Sequence, residues 1–293
     1  MSGSTEPDIF IVAGDSPRSS VLGPQTPPIR GPRTEDRGLF PTLQAAIAAV
    51  VGPAMILVAP GVYAGPFSVS GIGYVVIQST AMSRRGVTLR AADGEAVLAI
   101  DRSTVHLSGI EIRSDQRTRG MTVRDSKVSL QECVIAGNRT TTSGAAMLCT
   151  RSSVHLQKSI FSGNTVESDG DARGGALDLD ECTVQIAGCT IQANAVYARD
   201  EASGGGIFCR ASRMRVWRSR VTENALYAPS QYGGGICLHD PADTQIGGSV
   251  VHGNSAGEGR GGGIFVADGE IAIHRNTSVR LNFPDDFASG SRG

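Results

Sequence analysis

The chain has 293 residues, 38 of them glycine, with 40% hydrophobic and only 5% aromatic side chains, which suits one elongated domain with a continuous core and many tight corners. A formal net charge of -1 gives no electrostatic case for nucleic acid or an anionic membrane as partner. No apolar run approaches a membrane span, and polar Met1 to Pro7 followed by the short apolar Ile9 to Ala13 does not read as a secretory leader, so the expectation is a soluble, cytoplasmic protein.

Residues 1–37 hold six of the 13 prolines and read as an extended or mobile segment, in which Asp8 to Ala13 can add one strand. From Thr42 to Val51 the pattern turns helical. Thr42 can cap, and Leu43, Ala46, Ile47 and Val50 fall on one face, so this helix is the expected lid over an open sheet end. Short strands are then expected at Met55 to Val58, Phe67 to Ser70, Tyr74 to Gln78, Val87 to Ala91, Val97 to Ile100, Val105 to Leu107 and Ile110 to Ile112.

From Gly120 to Asn282 one unit returns at nearly constant spacing. Gly-Gly-x-apolar opens it at Gly174, Gly204, Gly233 and Gly261, with a looser Gly-Ala-Ala-Met at Gly144. An asparagine closes it at Asn164, Asn194, Asn224, Asn254 and Asn282, the first four being 30 residues apart. A period of this length marks a solenoid. Within each unit apolar residues alternate: Leu177 and Leu179, Val184 and Ile186, then Ile191; in the next, Ile207 and Cys209, Met214 and Val216, then Val221. Three short strands per turn describe an all-β, right-handed parallel β-helix over residues 38–282. Equivalent residues then stack in columns, one of Asn at a corner and one of Cys133, Ser159, Cys189, Ser219, Ser249 and Thr277. Residues 283–293 form a tail in which Phe283 and Phe287 are expected to fold over the C-terminal end and Ser289 to Gly293 to be disordered.

The Gly-Gly-Ala/Gly-Ile/Leu motif, with Phe-Ser-Gly-Asn at Phe161 to Asn164, resembles the repeats of chlamydial polymorphic outer-membrane proteins and of bacterial β-helix repeat proteins. Phe40-Pro-Thr-Leu-Gln-Ala-Ala-Ile followed by Ile56 to Tyr63 is similar to the opening segment of pectin-lyase-like proteins. That resemblance implies a superfamily of lyases, hydrolases, esterases, epimerases, adhesins and scaffolds, and does not choose among them.

Read outward, the first strand of each coil gives two columns. One holds Thr122, Leu148, Asp178, Phe208, Cys237 and Phe265, the other Arg124, Thr150, Asp180, Arg210, His239 and Ala267. Asp178, Asp180, Arg210 and His239 are therefore the catalytic candidates: lyases of this architecture need a cation or Ca²⁺, a base and acidic partners. The alternative is a surface charge ladder in which Asp180 pairs with Arg210. The stretches between each Asn and the next Gly-Gly read as long variable loops. They bring Glu167, Asp169, Asp171, Tyr197, Arg199, Asp200, Glu201, Tyr227 and Tyr232 to one wall, a sugar groove or a Ca²⁺ site built on Asp169, Asp171 and Asp200. The outward column of the second strand reads His106, Ser129, His155, Gln185, Arg215 and Gln245, beside Arg213 and the only tryptophan, Trp217, a set suited to stacking on and hydrogen bonding to a glycan or protein.

Cys149 and Cys209 share a column two coils apart, as do Cys133 and Cys189, about 9.6 Å at roughly 4.8 Å per coil, too far for a disulfide. Cys182 and Cys237 have no column partner, so six reduced thiols are expected, Cys237 being the exposed one. Leu148, Phe208, Cys237 and Phe265 would leave an apolar stripe in water unless the loops, the N-terminal segment or a second copy covers it; the first two are favoured, and with them a monomer. The expected function is a binding or scaffold module presenting a long sheet surface to a glycan or protein partner. The alternative is an enzyme, a lyase of uronic-acid polymers with Arg210 or His239 as base. No cofactor is expected beyond the Ca²⁺ that the acidic loops would suit.

Overall fold

The computed structural model describes residues 7–13, 38–83 and 86–290. Its strands are short because each coil must turn three times, and single residues in the left-handed conformation make many of those turns. Arg102, Asp125, Arg151, Glu181, Ala211 and Asp240 do so at one corner, and Glu132, Lys158 and Arg218 at the next. The strands stack in parallel into an 11-stranded sheet A, a nine-stranded sheet B and a nine-stranded sheet C that wind as a right-handed β-helix. The inward set Leu177, Leu179, Val184, Ile186, Ile191, Ile207, Cys209, Met214, Val216 and Val221 is buried in one continuous core, which fixes the register of every outward column.

The asparagine column is a hydrogen-bonded ladder inside that core. The backbone N–H of Asn164 donates to Asn194 Oδ1 at 3.0 Å, and Asn164 Nδ2 donates to the same oxygen at 2.9 Å. The pattern repeats from Asn194 to Asn224, Asn224 to Asn254 and Asn254 to Asn282. It also extends one coil earlier, to Asn138. Asp286 of the tail ends it by accepting from the N–H and Nδ2 of Asn282. The second column holds as well: N–H groups of Cys133, Cys189 and Ser219 donate to the hydroxyls of Ser159, Ser219 and Ser249.

Backbone packing explains the Gly-Gly motif. Gly174 takes φ +64°, and a Cβ on Gly175 would stand 2.1 Å from the carbonyl oxygen of Gly205 in the next coil.

At the N-terminal end the helix spans only Leu43–Ala48, capped as expected by Thr42 accepting from the Ala45 N–H. Leu43, Ala46 and Ile47 enter the main core. Asp8–Val12 forms a strand of sheet A between Gly38–Phe40 and Ala54–Val58, so this part of the proline-rich segment belongs to the solenoid; residues 14–37 lie outside the described ones. The aromatic closure expected of the tail does not form. Phe283 and Phe287 remain 60% and 45% exposed, because the tail runs on as another strand, Phe287–Ser289, beside Ile264–Ala267. Of the stretch expected to be disordered, Ser289 is in that strand and residues 291–293 lie outside the described ones.

The variable loops are not loops. They pair coil to coil into a four-stranded sheet D and a three-stranded sheet E, with their own small core of Ala145, Val166, Ala172, Val196, Ala202, Leu226 and Ala256. Their alternation was too short to stand out against Gly, Ser and Asp.

Candidate functional site

Sheet C carries the columns expected, in register: Asp178 beside Phe208 and Asp180 beside Arg210, which in turn pairs with His239. Both carboxylates there are engaged by arginines. Asp178 is fully buried and accepts from Arg173 Nε at 3.1 Å. Burial pushes its carboxyl above the ordinary range, against the pull of Arg173. Asp180 is held below that range by the Arg210 guanidinium, which reaches its two oxygens at 2.8 and 2.5 Å. Two carboxylates pushed apart in acidity are what acid–base work requires. Here, however, each carboxylate faces an arginine, Arg173 or Arg210, and only the half-buried His239 is in no ion pair among the described residues.

The apolar stripe of the same sheet is covered from within the chain. Phe208, Cys237 and Phe265 are buried, so Cys237 is not the exposed cysteine the sequence led us to expect. Arg173 lies 4.8 Å above the Phe208 ring, Arg260 5.3 Å from the Phe265 ring, and Tyr232 5.0 Å from the latter. Arg173 and Tyr232 come from sheet E, the layer expected to be loops, and Arg260 bridges to Tyr232. All six cysteines are free and buried. Cys182 does have a neighbour: its Sγ lies 3.5 Å from Cys149 Sγ, since it replaces serine in a corner column whose side chains turn inward. A further residue the sequence did not flag is Arg119, buried with its guanidinium on the carbonyls of Ser143 and Gly144. Its position directly before Gly120, where the regular repeats begin, was the available signal.

The wall of tyrosines and acids divides. Tyr197 and Tyr227 pair on sheet D with rings parallel and centroids 4.5 Å apart, exposed, beside the Arg117–Glu167 ion pair. Tyr232 stands on sheet E, away from that stack, because its ring is spent on Phe265. Asp169, Asp171 and Asp200 do not gather into one cluster: among the described residues there is no group of three or more His, Cys, Asp or Glu placed to hold an ion. Asp171 accepts instead from the N–H of Glu201 in the next coil at 3.1 Å.

Sheet A presents the open face. His155, Gln185 and Arg215 stand in one outward column, with Arg213 and Trp217 on either side, and all five are exposed. Arg213 and Arg215 share Asp243 at 3.6 and 3.2 Å. Trp217, 36% exposed, lies flat across Gly247, where a Cβ would come within 1.8 Å of its ring, and meets His274 at 4.9 Å. Toward the preceding coil it borders a trough of about 430 Å³ over Ala187 and Gly188, lined also by Gln157, Lys158 and Arg218. The sequence reading gave Trp217; it passed over Lys158 and Arg218, although their 60-residue spacing, two repeats, placed them on one corner.

These features define a parallel β-solenoid of the pectin-lyase-like architecture, with one sheet roofed by added strands and one sheet open. The sequence model of the family described as right handed beta helix region matches residues 70–278, and the chain belongs to that family. Among solved structures it is similar to a pectin methylesterase in complex with a hexasaccharide, at 11% identity and a TM-score of 0.51 over 94% of this chain and 93% of that one. It is likewise similar to the pectin methylesterase from Aspergillus niger, at 13% identity and a TM-score of 0.51 over 99% and 91%. At such identities the likeness is one of fold. No curated protein sequence matches the chain.

Proposed function

We propose that this protein is a carbohydrate-binding β-helix whose ligand lies along the outer face of sheet A. The observation that carries the reading is the contrast between two faces. On sheet C, Asp178 is buried against Arg173 and Asp180 is paired with Arg210, which leaves the half-buried His239 as the one candidate there in no ion pair among the described residues. On sheet A, His155, Gln185, Arg213, Arg215 and Trp217 stand exposed on a flat parallel ladder. Repeats about 4.8 Å apart along a rigid sheet offer hydrogen-bonding groups in a row, which suits a polymer of repeated rings, and Trp217 supplies the apolar surface on which a ring stacks. A preformed surface of this kind loses little entropy on binding.

The test is a glycan array probed with the folded wild type, with Trp217→Ala and with Asp180→Asn. Binding lost in Trp217→Ala and kept in Asp180→Asn supports the reading. Binding lost in Asp180→Asn and kept in Trp217→Ala moves the site to sheet C. There the lyase alternative becomes testable through ultraviolet absorbance of an unsaturated product from uronic-acid polymers, with and without Ca²⁺.

A further inference from the structure

The trough beside Trp217 has a chemistry that narrows the ligand. Coil by coil, the second corner after sheet A reads Gly109, Glu132, Lys158, Gly188 and Arg218, a column fixed by backbone hydrogen bonds from each of these to the coil that follows. Next to it on the sheet runs Gln131, Gln157, Ala187, Trp217 and Gly247. At the coil of Ala187 and Gly188 both columns therefore lose their long side chains. The coils on either side keep theirs, Gln157 with Lys158 and Trp217 with Arg218. The walls stand two coils apart, about 9.6 Å at roughly 4.8 Å per coil. A gap of that width takes one six-membered ring with its substituents.

Charge decides what kind of ring. Lys158 and Arg218 line the trough, and no aspartate or glutamate does. Among the described residues neither cation has an ion-pair partner, whereas Arg213 and Arg215 on the same sheet are both shared with Asp243. Glu132, one coil earlier on the corner column, is outside the lining. Two unneutralised cations beside an exposed indole and an amide form a site for an anion carried on a ring: the cations hold the anionic group, the indole packs on the ring's C–H face, and Gln157 reaches a hydroxyl. We infer that the trough of Gln157, Lys158, Ala187, Gly188, Trp217 and Arg218 binds a saccharide unit bearing a carboxylate or sulfate. The inference rests on the carbohydrate-binding reading of sheet A and adds the charge class and the anchoring subsite.

Because the chain contains one tryptophan, its fluorescence reports this subsite alone. The full-length protein is titrated with three oligosaccharides of matched backbone, one carboxylated, one sulfated and one neutral. A saturable change in Trp217 emission is expected with either or both acidic ligands, about tenfold tighter than with the neutral one, and weakened by added salt. Lys158→Gln and Arg218→Gln should each weaken the acidic ligand about fivefold, a larger loss than for the neutral one; Lys158→Arg should restore it. Which acidic arm responds tells carboxylate from sulfate. Equal affinity for neutral and acidic ligands, or indifference to both substitutions, overturns the charge assignment while leaving carbohydrate binding standing. No emission change with any of the three, in a protein whose array binding survives, overturns the trough as the subsite.

Discussion

Asn194→Ala measures what the buried ladder contributes. Asn194 is fully enclosed, and its side chain takes part in four hydrogen bonds: it accepts from the N–H and Nδ2 of Asn164 at 3.0 and 2.9 Å, and donates to Phe161 O at 3.1 Å and Asn224 Oδ1 at 2.9 Å. Each neutral bond contributes about 1 kcal/mol net, and a buried donor left without an acceptor, as the Asn164 N–H would be, costs ~1–3 kcal/mol. Three bonds at about 1 kcal/mol each and the orphaned donor together give an expected loss of about 4–6 kcal/mol. Asn282→Ala, at the half-buried end of the ladder where Asp286 takes over, should cost less, about 1–2 kcal/mol. Urea unfolding followed by circular dichroism gives both numbers, and hydrogen exchange shows whether the loss is confined to neighbouring coils, as a solenoid with nearest-neighbour coupling requires. A loss below about 1 kcal/mol at Asn194, or equal losses at the two positions, would refute the reasoning.

Asp178 gives a pH dependence with a definite sign. Its folded pKa is raised by burial, so stability present below the unfolded value of 3.8 is lost as pH rises through the folded one. Asp178→Asn should remove that loss, and its stability relative to wild type should climb from pH 4 upward in thermal melts; a difference that shrinks over this window contradicts the burial argument. Gly175→Ala should destabilise by about 1–3 kcal/mol, because its Cβ meets backbone rather than a side chain that can move, and a melting temperature unchanged from wild type would show that the coils can part. Thiol titration should find none of the six cysteines reactive in the folded protein and all six after denaturation; a fast-reacting thiol in native buffer would mean the Cys237 roof opens.

Much of the fold is legible in the sequence because the solenoid repeats its constraints. A 30-residue period, alternation of Val, Ile and Leu, and a corner asparagine all specify the same stacking, so Leu177 to Val221 and the Asp180–Arg210 neighbours fall in register without reference to coordinates. What was hidden lay where one coil's side chains act on another's. Sheets D and E are strands of two to four residues rich in Ala, Ser and Tyr, whose stability comes from the coil beside them rather than from their own pattern. Missing that layer left Phe208, Cys237 and Phe265 reading as exposed and Asp178 as available. The trough was missed for the opposite reason. It is an absence, at Ala187 and Gly188, and a search for chemical groups passes over the gap that Lys158, Arg218 and Trp217 line.

The assignment of the ligand to sheet A rather than sheet C is tested most directly by hydroxyl-radical footprinting of the full chain, with and without a saturating acidic oligosaccharide. Protection is expected at Trp217, Arg215 and Gln185, with the reactivity of Tyr232 and His239 unchanged. Protection centred on Tyr232, His239 and Arg210, with Trp217 as reactive as in the free protein, would contradict the account and return the site to sheet C.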